Sequence, residues 1–184
     1  MRNLIYAINV TADGCYELTK TVGGDEILEH YTDLLRSVDL QIFGRKTYEL
    51  MVPYWPDVAK NPTKTKAAIE FGKSFVSLNR IVFSRTLNSV EEKNTTIVRT
   101  DLKDEILRLK QQPGKKILAG GVSVPAQLIE LGLVDEIHLV VQPIFAGEGR
   151  RLGEGVSLPE KLRLKLVDSK SLPSGMVALH YLKQ

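Results

Sequence analysis

The chain has 184 residues, of which 43% are hydrophobic and 26% are charged, and its formal net charge is +3. This composition excludes a disordered chain, and no apolar run reaches the roughly 18 to 20 residues that a membrane-spanning helix needs. The nearly balanced charge leaves no basic footprint for nucleic acid. The single cysteine, Cys15, excludes a disulfide framework and favours a reducing compartment, the cytoplasm. We expect one domain over residues 1–184.

The hydrophobic pattern predicts eight strands, most of them short apolar runs typical of strands that are covered on both faces. Residues 162–167 alternate strictly between apolar and polar, which indicates an edge or antiparallel strand. The predicted strands are residues 4–8, 40–43, 80–84, 96–98, 116–119, 136–141, 162–167 and 176–182.

Apolar residues spaced three or four apart predict amphipathic helices at residues 25–38, 65–78, 101–111 and 123–131. We expect Asp25, Asp101 and Ser123 to cap the starts of three of these helices. The proline-rich segment 53–62, which contains Trp55, is predicted to be a loop.

The alternation of strands and helices predicts an α/β fold, with a mostly parallel central sheet and helices on both faces. The last two predicted strands have no helical pattern between them, so we expect them to form an antiparallel hairpin. Ligands of such sheets bind beyond the carboxyl ends of the strands, where helix N-termini present free N–H groups.

Four segments follow predicted strands and suit an anion. Two combine cations with hydroxyl groups, the third is a glycine pair that opens a helix, and the fourth is the glycine-rich loop 147–155. Taken alone, each also fits an ordinary turn, a solvated helix start or a mobile loop. The candidate residues are Gly44, Arg45, Lys46 and Thr47 in the first segment, Ser84, Arg85 and Thr86 in the second, Gly120, Gly121, Val122 and Ser123 in the third, and Gly149 and Arg150 in the fourth.

Motifs for metals and nucleophiles are absent. His30, His138 and His180 are far apart in sequence and form no H-x-x-x-H pair, so the sequence predicts no metal site. There is no G-x-S-x-G elbow. The Asp13-Gly14 pair that closes the first strand either forms a simple turn or directs its carboxylate into the ligand cleft.

The segments together resemble the dihydrofolate reductase superfamily, most closely the reductase domain of bacterial riboflavin biosynthesis and its stand-alone relatives. The resemblance implies a three-layer dihydrofolate-reductase-like fold and a homodimer. The matching pieces are residues 9–14, GRKTYE at 44–49, VFSRT at 82–86, LAGGVS at 118–123 and DEIHLVVQPIFAGEG at 135–149.

The resemblance also implies NADPH as cofactor. In the family, the segment after the second strand holds the pyrophosphate, the end of the third strand meets the 2′-phosphate, and the paired glycines carry an unusual peptide against the cofactor. These roles fall on residues 44–47, 84–86 and 120–123 of this chain. The nicotinamide would lie near Ala7, Asn9 and Asp13, with Asn9, Trp55, Gly149 and Arg150 lining the substrate pocket.

The implied reaction is hydride transfer to a small heterocycle, pterin- or pyrimidine-like, or to a carbonyl compound. Asp13 and Glu29 are the candidates for a carboxyl group that supplies the proton. Leu28 and Val140 replace the acidic residue and the threonine of dihydrofolate reductases, which argues against that activity. The 184 residues carry no zinc-deaminase signature, so we expect a reductase without that domain.

The sequence is also compatible with two other functions. One is a non-catalytic nucleotide- or ligand-binding protein, because a fold does not fix a function. The other is nucleic-acid binding through the basic excess, although no basic stripe or set of stacking aromatic residues supports it.

Overall fold

The computed structural model describes all 184 residues, with eight strands, six α-helices and a short 3-10 helix at Leu18–Lys20. The strands are β1 (Leu4–Thr11), β2 (Val38–Gly44), β3 (Asn79–Phe83), β4 (Thr95–Val98), β5 (Lys116–Ala119), β6 (Glu136–Gln142), β7 (Leu164–Ser171) and β8 (Val177–Lys183). The helices are α1 (Asp25–Arg36), α2 (Arg45–Met51), α3 (Tyr54–Lys60), α4 (Lys66–Ser77), α5 (Leu102–Gln111) and α6 (Ser123–Glu130).

All eight strands form one sheet in the order β4-β3-β2-β5-β1-β6-β8-β7. The first six strands in this order are parallel, and β8 and β7 are antiparallel to their neighbours. The mostly parallel sheet and the C-terminal hairpin are therefore confirmed. Strand β7 lies at the edge, and every residue in it is exposed.

Helices cover both faces of the sheet, as predicted. On one face, Ile106 of α5 and Leu128 of α6 are fully buried against strand residues such as Ile42. On the other face, Leu35 of α1 and Phe75 of α4 pack in a second apolar cluster. Burying an aliphatic or phenyl side chain of this size contributes about 1.5 to 3 kcal/mol, so the two layers fix the helices onto the sheet. None of the helices has the length and apolar character needed to cross a membrane.

Two of the three predicted helix caps are wrong. Helix α1 begins after Gly24, and the Asp25 carboxylate accepts a hydrogen bond from the Thr65 hydroxyl at 2.6 Å instead of capping. Helix α6 begins after Val122, so Ser123 is its first helical residue and caps nothing. The Asp101 side chain does cap α5, because it accepts a hydrogen bond from the Asp104 N–H at 3.1 Å.

The other differences concern element boundaries and the segment 53–62. Helix α1 ends at Arg36 rather than at residue 38, because Val38 is buried as the first residue of β2. The segment predicted as a loop forms α3, starting directly after Pro53. Its Trp55 ring packs against Phe71 of α4, with ring centroids 4.3 Å apart. This tertiary contact stabilises a helix whose sequence alone favours a loop.

Candidate functional site

A cleft of about 1470 Å³ opens beyond the carboxyl ends of the parallel strands. Parallel strands end at the same edge of a sheet, so the segments that follow them meet there. The predicted site residues that line this cleft are Ala7, Asn9, Gly44, Arg45, Lys46, Thr47, Trp55, Ser84, Arg85, Gly120, Gly121, Val122, Ser123 and Arg150.

Four predicted site residues lie outside the cleft lining. Thr86 lines a neighbouring hollow of about 440 Å³ with Arg45 and Glu49. Gly149 packs over the buried Cys15, where a Cβ atom would lie 2.8 Å from Sγ. The other two are Asp13 and Glu29, the candidate proton donors.

Strand pairing brings the phosphate-type segments into contact. Gly44, the last residue of β2, pairs with Phe83, so Ser84 follows directly beside it. The Gly120 N–H donates to the Ile42 carbonyl at 3.0 Å, which holds the glycine pair next to β2. A Cβ atom on Gly44 would lie 3.3 Å from Ser123 Oγ. The three segments therefore form one continuous surface of backbone and hydroxyl groups.

The glycine pair admits no side chain. A Cβ atom on Gly120 would lie 2.6 Å from the Phe43 ring, and one on Gly121 would lie 2.1 Å from Thr47 Oγ1. Gly121 also has φ +82°, which L side chains rarely adopt. The backbone at the cleft wall is therefore bare. The Gly120 N–H is already bonded to Ile42, but the Gly121 N–H donates to no group of the chain, and a ligand can approach it closely.

Cations gather at the end of the cleft formed by β2, β3 and β4. They are Arg45, Lys46, Arg85 and Arg99. Arg45 forms a salt bridge with Glu49 at 3.0 Å, and Arg99 donates to the Leu87 carbonyl. Lys46 and Arg85 have no hydrogen-bond or salt-bridge partner within the chain. Their unpaired charges make this end of the cleft suited to a polyanion.

The apolar wall of the cleft contains two polar atoms that have no partner. Trp55 Nε1 and Gln41 Oε1 are buried and form no hydrogen bond. Buried polar atoms normally have a partner, so these two are exceptions, although neither atom is itself exposed. Near them, the Tyr31 hydroxyl donates to Asn9 Oδ1 at 2.7 Å. Burial raises the pKa of Tyr31 far above its usual range, so the phenol keeps its proton.

Two ion pairs hold the loop 147–151 against the mouth of the cleft. The Arg150 guanidinium binds Glu17 Oε1 at 2.9 Å, and Lys20 Nζ binds Glu148 Oε1 at 2.5 Å. The hydrogen bond from Arg150 lowers the pKa of Glu17, so this lining carboxylate is ionised at neutral pH. Arg150 therefore lies at the cleft, but it is already paired with an acid of the chain.

Asp13 also holds this loop in place. Its carboxylate accepts hydrogen bonds from the Thr11 hydroxyl at 2.5 Å, the Ala146 N–H at 3.0 Å and the Gly147 N–H at 2.9 Å, and it pairs with Arg151 at 2.9 Å. The bonds from Thr11 and Ala146 hold its pKa well below the usual range. Glu29 is exposed on α1. Neither position supports a role in proton transfer.

We expect the Asp13→Asn variant to lower Tm at neutral pH and to flatten its dependence on acid. The pKa of Asp13 is depressed in the folded state, so its stabilisation is complete above about pH 5 and is lost as the pH falls through about 4 and below. Thermal unfolding from pH 7 to pH 2.5 measures this. The exposed Asp57 gives a matched variant, Asp57→Asn, that should follow the parent protein. Equal acid sensitivity of the Asp13 variant and the parent would contradict the anchoring role.

Several lining residues were not predicted from the sequence. Arg99 and Asp101 follow β4, and the strand-end argument applied to the other strands would have found them. The sequence does not indicate that Gln41 and Tyr31 line the cleft, because each lies in a pattern that is typical of the hydrophobic core. Glu17 lies in the irregular segment before α1, which carries no motif.

The family of RibD C-terminal domains matches residues 2–178. Among curated proteins, the uncharacterized protein YyaP of Bacillus subtilis is 33% identical over 98% of this chain and 94% of its own length. The uncharacterized protein YwjB of the same organism is 27% identical over 83% of this chain and 78% of its own length.

Solved structures share the fold. A putative riboflavin biosynthesis protein from a Shewanella species has a TM-score of 0.73 at 17% identity, covering 100% of this chain and 99% of that one. A pyrimidine reductase-like protein from Corynebacterium diphtheriae has a TM-score of 0.65 at 19% identity, covering 100% and 92%. RibD of Acinetobacter baumannii has a TM-score of 0.69 at 15% identity, and this chain spans 58% of it. The dihydrofolate-reductase-like fold is thus confirmed, and the chain belongs to the RibD C-terminal domain family.

Proposed function

We propose that the protein is an NADPH-dependent reductase that transfers hydride to a small pterin- or pyrimidine-like heterocycle or to a carbonyl compound. One observation carries the proposal: a single cleft joins an unpaired cationic end to a largely apolar wall that holds the Asn9 amide. The first end suits the phosphates of a dinucleotide and the second a small polar ring. The names of the related proteins, which refer to riboflavin biosynthesis and to a pyrimidine reductase, favour the heterocyclic class.

The residues present fit the cofactor. Gly44 and the bare backbone at Gly121, whose N–H is free just before α6, would hold the pyrophosphate, because N–H groups at helix starts attract anions. Arg85 would bind the 2′-phosphate and Lys46 the pyrophosphate, since their charges are unpaired. NADPH supplies the hydride when it is bound. Ala7, at the β1 end of the cleft, has a small side chain that leaves room beside it for a flat ring.

At the substrate end, Asn9 is the central polar side chain. Its Oδ1 accepts the Tyr31 hydroxyl, which fixes the amide orientation and leaves Nδ2 free to donate to a carbonyl oxygen of the substrate. Trp55 Nε1 and Gln41 Oε1 add a donor and an acceptor on the wall. Glu17 is held ionised by Arg150 and has no proton to give at neutral pH, so we propose that water supplies the proton.

A second function, binding of a nucleotide or ligand without catalysis, has one observation in its favour. The two candidate proton donors, Asp13 and Glu29, lie outside the lining, and the lining carboxylate Glu17 is held ionised by Arg150. A binding protein needs no proton source.

We also propose that the protein is a cytoplasmic homodimer. The buried free thiol of Cys15 fits a reducing compartment. The edge strand β7 exposes Leu164 by 36%, Leu166 by 48% and Val167 by 42%, an apolar edge that a second copy would cover. Light scattering after size-exclusion chromatography measures the mass.

Titration with NADPH and NADH, followed by a reduction panel, tests the proposed function. We expect saturable binding with a preference for NADPH, and NADPH oxidation with at least one compound among pterins, ribosylated pyrimidines and small carbonyl compounds. NADPH binding with no oxidation across the panel would favour the binding protein. Absence of NADPH binding would overturn both readings of the cationic end.

A further inference from the structure

Two histidines and a glutamate meet on the sheet away from the cleft. Strands β6 and β8 pair so that His138 lies opposite His180, and their rings stack with centroids 4.0 Å apart. Glu136 precedes His138 by two residues and therefore points to the same face of β6. None of the three lines the cleft, so they form a separate cluster near the start of β6.

The donor atoms of this cluster converge. Glu136 Oε2 lies 3.1 Å from His180 Nε2 and 3.5 Å from His138 Nε2. One donor atom from each of the three residues lies within 4.8 Å of the others. Zn²⁺ bonds of about 2.0 to 2.2 Å place neighbouring ligand atoms roughly 3 to 3.5 Å apart. The two distances to the carboxylate already fall in that range, so small side-chain rotations bring all three atoms around one ion.

Burial leaves one side of the cluster open. The Glu136 side chain is only 1% exposed, whereas His138 is 14% and His180 is 26% exposed. The carboxylate thus forms the floor, and the imidazoles form the walls of a shallow site that an ion can enter from solvent. His138 Nε2 is buried without a hydrogen-bond partner. A buried ring nitrogen in this state is unusual, and an ion would take its lone pair.

One cation of the chain already contacts the cluster. The Lys116 ammonium, 2.9 Å from Glu136 Oε1, competes with an ion for the carboxylate. Lys116 is 41% exposed, so it can turn into solvent.

We propose that Glu136, His138 and His180 bind a divalent transition-metal ion of the Zn²⁺ type, which ties β6 to β8. Two imidazoles and one carboxylate form a donor set that binds such ions in preference to Mg²⁺ or Ca²⁺. Three protein ligands leave a fourth position for water on the open side. The ion cross-links the hairpin to the parallel part of the sheet, so its effect falls on stability.

Isothermal titration of the untagged, chelator-treated protein with ZnCl₂ tests the site, and a Co²⁺ titration followed by visible absorption provides a second readout. We expect one ion per chain, a rise in Tm with Zn²⁺ and a cobalt band that Zn²⁺ displaces. His138→Gln and His180→Gln should each weaken Zn²⁺ binding by at least tenfold. His30→Gln is the matched control, because His30 contributes no donor to the cluster.

The Lys116→Met variant separates a site from adventitious binding, because it gains rather than loses affinity. Removal of the competing ammonium should tighten Zn²⁺ binding by about tenfold, without disturbing either histidine. No stoichiometric binding to the parent protein, or binding that is unchanged in both histidine variants, would overturn the proposal. If Lys116→Met binds Zn²⁺ no more tightly than the parent protein, Glu136 is not a ligand, and the proposal is overturned as well.

Discussion

Replacing Arg85 with alanine is expected to weaken NADPH binding by about 10- to 100-fold while leaving NADH binding nearly unchanged. Arg85 lines the cationic end of the cleft and has no partner within the chain. A hydrogen bond between charged groups contributes about 1.5 to 3 kcal/mol, and about 1.4 kcal/mol corresponds to a factor of ten in Kd. NADH lacks the 2′-phosphate, so its affinity should not depend on Arg85. Fluorescence titration of the two cofactors gives both Kd values.

Two further variants sharpen this test. Arg85→Lys keeps the charge but loses the planar, bidentate geometry, so it should recover only part of the NADPH affinity. Arg108→Ala removes a cation from the outer surface of α5, where the guanidinium pairs with Glu105, and should leave both Kd values alone. Equal affinities of the parent protein for NADPH and NADH would show that the 2′-phosphate does not bind at the cationic end.

The strand-end segments were predictable because their signals are local. Gly44 and Ser84 each follow a short apolar strand, and parallel strands end at one edge, so proximity follows from the fold class alone. The sheet itself was predictable for the same reason, since buried strands appear as apolar runs. The edge position of β7 followed from its alternating pattern, in which Leu164 and Leu166 are separated by a lysine.

Features that depend on register or on tertiary contacts were not predictable. The cluster of His138 and His180 exists because β6 and β8 pair in one particular register, and residues 42 positions apart carry no sign of it. The burial of Trp55 against Phe71 turns a proline-rich segment into α3. The sequence left open whether Asp13 forms a simple turn or directs its carboxylate into the cleft. In the structure, four partners from two segments hold the carboxylate against the loop 147–151.

The Gly121→Ala variant is expected to raise the Kd for NADPH by at least tenfold. A Cβ atom at this position would lie 2.1 Å from Thr47 Oγ1, so the new methyl group must displace Thr47 or the peptide that faces the cleft. Either movement disturbs the surface that we assign to the pyrophosphate. The positive φ adds a cost of about 1 kcal/mol to folding, because alanine adopts that region poorly. Cofactor titration and thermal unfolding measure the two effects separately.

Gly155→Ala is the control for backbone strain alone. Gly155 has φ +76°, close to the +82° of Gly121, but a Cβ atom there would meet nothing within 4 Å. Gly155→Ala should therefore lose only the stability that the positive φ costs, whereas Gly121→Ala should lose more because of the clash, and only Gly121→Ala should lose NADPH affinity. The double variant Gly121→Ala with Thr47→Ala isolates the clash, since it removes the hydroxyl in the way. We expect its Kd to match that of Thr47→Ala alone, because the two changes act through one contact. Strictly additive losses would mean that Gly121 acts on the cofactor by some route other than its contact with Thr47.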